Sequence, residues 1–206
     1  MGCGKEGMDL CEKCRKEIPI SGQICPMCGK DSSMGWTHER CKTEKGMEGL
    51  IAIYDYQDEL TKKIIEEIKF GFNKRMIKEM LKKFRFESGE NFDCLVPVPL
   101  HFYRENWRGF NQAEEIANVI GEKLKIKVSK ALIRKRKTKQ QSLILDRKER
   151  EKNIKGAFET TKGAKLKGKK ILLVDDVFTS GADMRECTKV LKKAGAEVVW
   201  GLALGH

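Results

Sequence analysis

Short apolar runs recur along the second part of the chain, and we expect each of them to form a β-strand. They read GLIAIYDY, DCLVPVPL, KIKVSKALI, KKILLV and EVVWGLAL. Pro97 and Pro99 stand in the second run and cannot donate backbone hydrogen bonds. That strand is therefore expected to open into a loop at its carboxyl end.

Between these runs, apolar side chains recur every three or four residues, which is the spacing of amphipathic helices. The positions are Leu60, Ile64, Ile68, Met76, Met80 and Phe84, then Ile116, Ile120 and Leu124. Gly71 is expected to divide the first set into two helices. A further helix from about Ala182 to Lys193 is expected to end near Gly195.

The alternation of strands and helices predicts an α/β domain over residues 47–206, with a mostly parallel sheet and helices on both faces. Residues 1–46 differ from this domain, because they are rich in Cys, Gly, Lys and Met and have no regular period. We expect them to form a separate small module that a metal ion holds together.

Two cysteine pairs carry this metal prediction. Cys11-x-x-Cys14 is followed ten residues later by Cys25-x-x-Cys28. Four thiolates at about 2.3 Å satisfy tetrahedral zinc and leave no coordination position for water. The pattern therefore predicts a zinc-ribbon-like module with a structural Zn²⁺ ion.

The sequence leaves other arrangements of the ligands open. His38-x-x-Cys41 has the same internal spacing, and Cys3 stands alone upstream. His38 and Cys41 could replace one of the pairs, or a second metal could be bound. A redox-active dithiol is a further alternative.

The chain carries a formal net charge of +12. Its residues 134–155 alone hold ten Lys or Arg against three Asp or Glu. Such a stretch favours a polyanion, either nucleic acid or a ligand with several phosphates. The alternative interpretation is a solvated, lysine-rich surface.

Composition also predicts the compartment. Of the 206 residues, 40% are hydrophobic and 35% charged, as in soluble globular proteins. No apolar run approaches the roughly 20 residues of a membrane helix, and the start, MGCGKEGMDLCEKC, lacks the apolar segment of a secretory signal. We therefore expect a cytoplasmic protein without membrane insertion.

The clearest site pattern follows the apolar run at residues 171–174. Asp175 and Asp176 come directly after it, and Thr179, Ser180 and Gly181 precede the expected helix. Ligands bind at the carboxyl end of such strands, and hydroxyls with helix N-terminal amides form an anion pocket. The alternative is an ordinary strand-to-helix turn with Asp183 as a helix cap.

This segment resembles the signature of type I phosphoribosyltransferases, which recognise 5-phosphoribosyl-1-pyrophosphate (PRPP). The resemblance implies that Asp175 and Asp176 face the ribose hydroxyls or hold Mg²⁺ through water. It also implies that the loop surrounds the 5-phosphate with Thr179, Ser180, Gly181, Ala182 and Asp183. Asp183 departs from the family's usual Thr or Ser and would repel the phosphate by ~1 kcal/mol or more unless it is screened or points away.

The whole chain is similar to the ComF competence-protein family. The matching segments are the CxxC turns, IKFGF at residues 68–72, VPVPL at 96–100, RGFNQ at 108–112 and VDDVFTSGA at 174–182. Thr138, Gln141, Leu143, Arg147, Arg150 and Asn153 continue the match. This resemblance implies a role in natural transformation, with single-stranded DNA and the DNA-uptake machinery as partners.

The same resemblance implies pyrophosphate or DNA contacts for Arg108, Asn111, Gln112, Arg147 and Arg150. Helix capping and packing are the alternative roles of Arg108, Asn111 and Gln112. The basic stretch occupies the place where phosphoribosyltransferases carry a loop that closes over PRPP, and it could equally follow a DNA backbone.

Two other functions remain open at this point. One is a nucleotide-salvage or amidophosphoribosyl-type transferase, although no residue is identified as its catalytic base. Glutamine amidotransfer is disfavoured, because Gly2 stands where the nucleophilic cysteine would follow the starting Met. The other is a nucleic-acid-binding adaptor without enzymatic activity.

Overall fold

The structure is a computed structural model. It describes residues 10–70, 73–82, 84–85, 89–138, 144 and 146–206, without the side chains of Arg104, Arg108 and Arg147. The strands are β1 (Gly49–Tyr54), β2 (Cys94–Pro97), β3 (Leu132–Arg134), β4 (Phe158–Thr160), β5 (Lys170–Val177) and β6 (Val198–Gly205). The α-helices are α1 (Glu12–Glu17), α2 (Glu59–Phe70), α3 (Lys74–Leu81), α4 (Phe102–Arg108), α5 (Gln112–Leu124), α6 (Arg147–Ile154) and α7 (Ala182–Lys193). Two short 3₁₀ helices span Ser33–Gly35 and Glu39–Cys41.

Four strands form the main sheet in the order β1-β6-β5-β2, and all three pairings are parallel. β5 lies inside this sheet, with Val174 opposite Pro97 on one side and Leu202 on the other. The predicted parallel sheet is therefore confirmed.

Both faces of the sheet are covered. Leu172 and Val174 of β5 pack into a core with apolar side chains of α2, α3 and α5. Ile171 and Leu173 point to the opposite face and pack with Met184, Cys187 and Leu191 of α7. This alternation follows from the two-residue period of a strand, and it confirms helices on both faces.

Most predicted elements form, with one exception and four additional α-helices or strands. α7 has the predicted bounds, and α3 begins three residues after Gly71, which itself lies outside the described residues. The run KIKVSKALI does not form one strand. Val128 makes a single parallel bridge to Leu95, and β3 then pairs antiparallel with β4 away from the main sheet. The additions are α1, α4, α6 and β4, which are 6, 7, 8 and 3 residues long and too short for their periodicity to be recognised in the sequence.

The N-terminal residues pack directly onto the α/β fold. Cys11, Cys14 and Ile18 join the core beneath α2 and α3, while Ile24 joins the opposite core beside α7. The Gln23 amide also donates a 2.8 Å hydrogen bond to the Ala52 carbonyl of β1. The boundary after residue 46 stays a prediction. Within the described ranges, no helix has both the length and the apolar character needed to cross a membrane.

Candidate functional site

The loop after β5 lies at the carboxyl end of the sheet, between the ends of its two neighbours. Val98, just after β2, donates a 2.8 Å hydrogen bond to the Val174 carbonyl, and Phe178 donates a 2.9 Å bond to the Gly205 carbonyl of β6. Asp175 and Asp176 still belong to β5, and the turn to α7 follows. This is the position at which parallel sheets bind ligands.

The two aspartates have different surroundings. Asp175 Oδ1 accepts a 2.9 Å hydrogen bond from the Asp176 amide. Burial raises the pKa of Asp175 well above its ordinary value, and the nearby charges of Asp176 and Asp183 raise it further. Asp176 Oδ1 lies 3.3 Å from Lys69 Nζ of α2. One carboxylate is therefore desolvated, while the other is paired with a cation that a ligand could displace.

Gly181 makes the turn into α7 with a φ of +68°. A Cβ atom at this position would lie 2.2 Å from the Phe178 ring, so both the backbone angle and the space require glycine. Thr179 is exposed and Ser180 half-buried just before the turn. The exposed Thr179 hydroxyl thus lies beside the N-terminus of α7, where the Ala182 amide is 3.4 Å from Ser180 Oγ, and hydroxyls beside helix N-terminal amides are what an anion site requires.

Asp183 does not leave an uncompensated negative charge in this loop. Arg134, the last residue of β3, places its Nη1 atom 3.2 Å from Asp183 Oδ1, and the two side chains are 4% and 21% exposed. Arg134 also donates a 2.5 Å hydrogen bond from Nη2 to Thr138 Oγ1, and its guanidinium lies 5.2 Å from the Phe158 ring centre. The screening cation, Arg134, is the first residue of the basic stretch, and no local pattern in the sequence relates it to Asp183.

Among the described side chains of the predicted contact set, that of Arg150 reaches the loop. Its Nη1 atom lies 3.4 Å from Thr179 Oγ1, and its Nε donates a 2.7 Å hydrogen bond to the Ile144 carbonyl. Arg108 and Arg147 end α4 and begin α6, but their side chains fall outside the described atoms. A cation from α6 is thus available beside the anion site.

Asn111 and Gln112 are buried at the start of α5. Asn111 Oδ1 accepts from the Ala113 amide, and its Nδ2 donates to the Val98 carbonyl, each at 3.0 Å. Gln112 Nε2 lies 3.5 Å from the Lys69 carbonyl. These contacts correspond to the capping and packing alternative, and the ligand contacts of both residues stay a prediction.

Four metal-ligating side chains converge near the N-terminus: Cys25, Cys28, His38 and Cys41, whose ligand atoms all lie within 4.8 Å of one another. Tetrahedral zinc with 2.3 Å bonds separates its sulfur ligands by about 3.8 Å, so the spacing fits. The Cys28 sulfur lies 3.4 Å from His38 Nδ1, and His38 Nε2 lies 3.0 Å from the Asp31 carbonyl. A backbone carbonyl that orients the distal ring nitrogen is the usual support for a ligating histidine.

The protonation of this cluster is also tuned by its surroundings. Burial acts to raise the pKa of Cys25, but hydrogen bonds from backbone amides, that of Cys28 foremost, lower it overall. Burial, followed by the Cys28 thiol, raises the pKa of Cys41. One thiol thus lies in surroundings that stabilise the thiolate form that binds metal.

The other cysteine pair lies apart from this group. Cys11 precedes α1 and accepts from the Cys14 amide, and the two sulfurs lie 3.5 Å apart within the core beneath α3. The predicted set of two cysteine pairs is therefore wrong in its first pair. His38 and Cys41 take the place of Cys11 and Cys14 beside Cys25 and Cys28. The reason is spatial, because α1 packs on one face of the sheet and the Cys25 turn packs beside α7 on the other.

The chain belongs to the phosphoribosyl transferase domain family, whose model matches residues 70–203. Among its relatives, competence protein F of Haemophilus influenzae is 29% identical over 94% of this chain and 90% of that protein. Competence protein ComFC of Bacillus subtilis is 28% identical over 90% of this chain and 79% of that protein. The DNA utilization protein YhgH of Escherichia coli is 28% identical over 92% of this chain and 87% of that protein. These three relatives confirm the prediction that the chain is a ComF-family member of the phosphoribosyl transferase domain family.

A solved structure also aligns with the chain. It is the glutamine PRPP amidotransferase from B. subtilis, complexed with ADP and GMP, at 17% identity and a TM-score of 0.39. The alignment covers 69% of this chain and 26% of that one. A likeness of this size carries no information about activity.

Proposed function

We propose that this protein binds PRPP at the loop after β5 and acts as a phosphoribosyltransferase-like protein in the handling of DNA that enters the cell. One observation carries the proposal. Two aspartates at the carboxyl end of β5 lie beside a glycine turn and a helix N-terminus. Asp183, which stands in this loop in place of the usual Thr or Ser, is paired with the Arg134 cation.

The loop residues then have separate roles. Asp175 and Asp176 accept hydrogen bonds from the ribose hydroxyls or hold Mg²⁺ through water, and Lys69 would release Asp176 as the sugar arrives. The 5-phosphate is held by the segment Thr179, Ser180, Gly181, Ala182 and Asp183. Arg150, with Arg108, Asn111, Gln112 and Arg147 as further predicted contacts, faces the pyrophosphate or a DNA phosphate.

The metal cluster has a structural role in this proposal. Cys25, Cys28, His38 and Cys41 hold one Zn²⁺ ion, and four protein ligands leave no position for a reacting water. The Cys25 turn is connected to the phosphate loop, because the Pro26 carbonyl accepts a 3.2 Å hydrogen bond from Arg185 of α7. Zinc would therefore hold α7 in place from outside the site.

The DNA part of the proposal is supported by the relatives and by charge. The matching proteins are named for competence or for DNA utilization. Of the basic residues 134–155, Arg134 of β3 and Arg150 of α6 contact the loop. We propose that the protein works in the cytoplasm, binds incoming single-stranded DNA, and meets the DNA-uptake machinery there.

Calorimetric titration with PRPP and Mg²⁺ tests the loop. Asp176→Asn removes a charged hydrogen-bond acceptor, which we expect to weaken PRPP binding at least tenfold, since such bonds contribute about 1.5–3 kcal/mol. Glu122→Gln on the exposed end of α5 makes the same charge change away from the loop and should leave affinity unchanged. The proposal is lost if the folded, metal-loaded protein has no affinity for PRPP or any other phosphorylated pentose.

The same preparation separates the alternatives. A salvage or amidophosphoribosyl-type transferase would release pyrophosphate from PRPP when a base or amine acceptor is supplied. A non-enzymatic adaptor would bind single-stranded DNA that PRPP displaces, with an affinity that Asp175→Asn barely changes. Coupled, salt-sensitive binding of PRPP and DNA, measured at two salt concentrations, is the result that our proposal requires.

A further inference from the structure

Helix α4 presents three large aromatic side chains to solvent. Phe102, Tyr103 and Trp107 are 65%, 66% and 67% exposed. Aromatic side chains contribute most when they are buried, so a cluster of exposed ones marks a binding surface rather than ordinary background. We call these three residues the α4 aromatic surface.

The Tyr103 ring contacts the Phe102 ring edge to face and stacks on the His101 ring. The Tyr103 ring lies 6.0 Å from that of Phe102 at 69°, and 5.5 Å from the His101 ring at 19°. Tyr103 and Trp107 are four residues apart and share one side of the helix. Their separation along the axis is about 6 Å, close to the rise of two stacked nucleotides at about 3.4 Å each.

A basic segment lies against the same surface. Lys137 Nζ lies 5.5 Å from the Tyr103 ring centre. The next residue, Thr138, accepts the hydrogen bond from Arg134, which in turn pairs with Asp183 of the phosphate loop. This short segment therefore contacts the aromatic surface through Lys137 and the phosphate loop through Arg134.

The surface also lies on the ligand-binding edge of the sheet. β2 runs parallel to β5 and pairs with it up to Pro97 and Val174. The chain then leaves β2 at its carboxyl end and begins α4 at Phe102. The aromatic side chains thus follow the strand that neighbours Asp175.

We infer that the α4 aromatic surface is a base-stacking site for single-stranded DNA, with Lys137 contacting the DNA backbone. Aromatic faces that stack bases beside a cationic track are the general means of binding single strands without sequence preference. Duplex DNA hides its base faces, so it would use the cations but not the rings. This inference rests on the proposed DNA-handling function and assigns residues to it.

Fluorescence anisotropy with a labelled oligothymidine strand tests the assignment. Tyr103→Leu and Trp107→Leu keep apolar side chains but remove the rings, and each should weaken binding about tenfold, since one stacked base contributes about 1–3 kcal/mol. Ile20→Ala is the matched control, because Ile20 is an exposed apolar residue of the N-terminal module. It should leave DNA affinity unchanged.

Salt dependence separates stacking from charge. The leucine variants should weaken binding at every salt concentration without changing the slope of log affinity against log salt, whereas Lys137→Gln should reduce that slope by about one. Binding should also quench Trp107 fluorescence, and Trp107→Phe should abolish that part of the signal. The quenching is measured on the unmodified protein, so it does not depend on whether a variant folds.

Each outcome has a defined meaning. Weaker DNA binding with unchanged PRPP affinity supports the inference. Unchanged DNA affinity in the Tyr103→Leu/Trp107→Leu double variant overturns it and leaves the surface to another partner, such as a protein. Loss of PRPP affinity in the same variant also overturns it, since α4 would then support the phosphate loop. If the unmodified protein binds PRPP but no DNA, both the base-stacking inference and the DNA part of the proposed function fail. The PRPP part of the proposed function then stands.

Discussion

Replacing Arg134 by methionine tests the charge balance of the phosphate loop. Methionine keeps most of the length and apolar character of the buried arginine stem but removes the guanidinium. Asp183 would then face the loop without its partner at 3.2 Å. The same loop must accept a doubly charged phosphate, so we expect Arg134→Met to weaken PRPP binding.

The size of the effect follows from Coulomb's law. At an effective dielectric constant of about 20 and a separation of about 6 Å, one carboxylate and one phosphate charge repel by roughly 3 kcal/mol. Asp183 is about one-fifth exposed, so solvent reduces this value. We expect a loss of affinity between about tenfold and a hundredfold, at 1.4 kcal/mol per factor of ten.

The fold should also lose stability, because removing one partner of a buried pair leaves a charge uncompensated. We expect the free energy of unfolding to fall by about 2 kcal/mol, less than the 3–5 kcal/mol of fully buried pairs. For a chain of this size that corresponds to a fall of roughly 4–8 °C in Tm.

Calorimetry with PRPP and thermal unfolding measure the two effects. Arg136→Met removes the same charge from an exposed residue that donates to the Asn153 and Lys155 carbonyls, and it is the control for net charge. Adding Asp183→Thr to Arg134→Met removes the carboxylate that Arg134 no longer screens and should restore affinity. Full affinity in folded Arg134→Met would refute the idea that Asp183 must be neutralised.

Three other predictions concern the loop and the metal cluster. The raised pKa of Asp175 means that the folded state holds this proton more tightly, so stability falls as pH rises above the ordinary value of 3.8. Asp175→Asn should therefore raise Tm at pH 7 while weakening PRPP binding, and an unchanged Tm would contradict this. Gly181→Ala should abolish PRPP binding, whereas Gly168→Ala, with a similar φ of +71° but no atom within 4 Å of the new Cβ, should not. Purified protein should contain one zinc per chain, and His38→Ala should lower both zinc content and Tm; zinc below one per chain in unchelated protein would contradict the metal assignment.

Much of the fold follows from patterns between near neighbours in the chain. The apolar run of β5 and the helical spacing before Gly195 are local, so the sequence predicted α7 with its observed bounds. The loop residues from Asp175 to Asp183 are also consecutive, and their order indicated a phosphate site before any contact was known. The sequence does not predict helices α4 and α6, because at 7 and 8 residues they are shorter than the window of about 11 residues over which helical periodicity is recognised.

Tertiary structure decided what joins residues far apart in the chain. Three candidate ligand pairs with equal internal spacing, Cys11/Cys14, Cys25/Cys28 and His38/Cys41, could not be ranked from the sequence. The fold ranks them, because α1 and the Cys25 turn lie on opposite faces of the sheet. The pairing of Arg134 with Asp183, and of Lys137 with Tyr103, likewise depends on where β3 and α4 lie beside β2 and β5. Periodicity records whether a side chain is buried, but the distance between two buried or charged groups is set by the order of strands, which no local pattern contains.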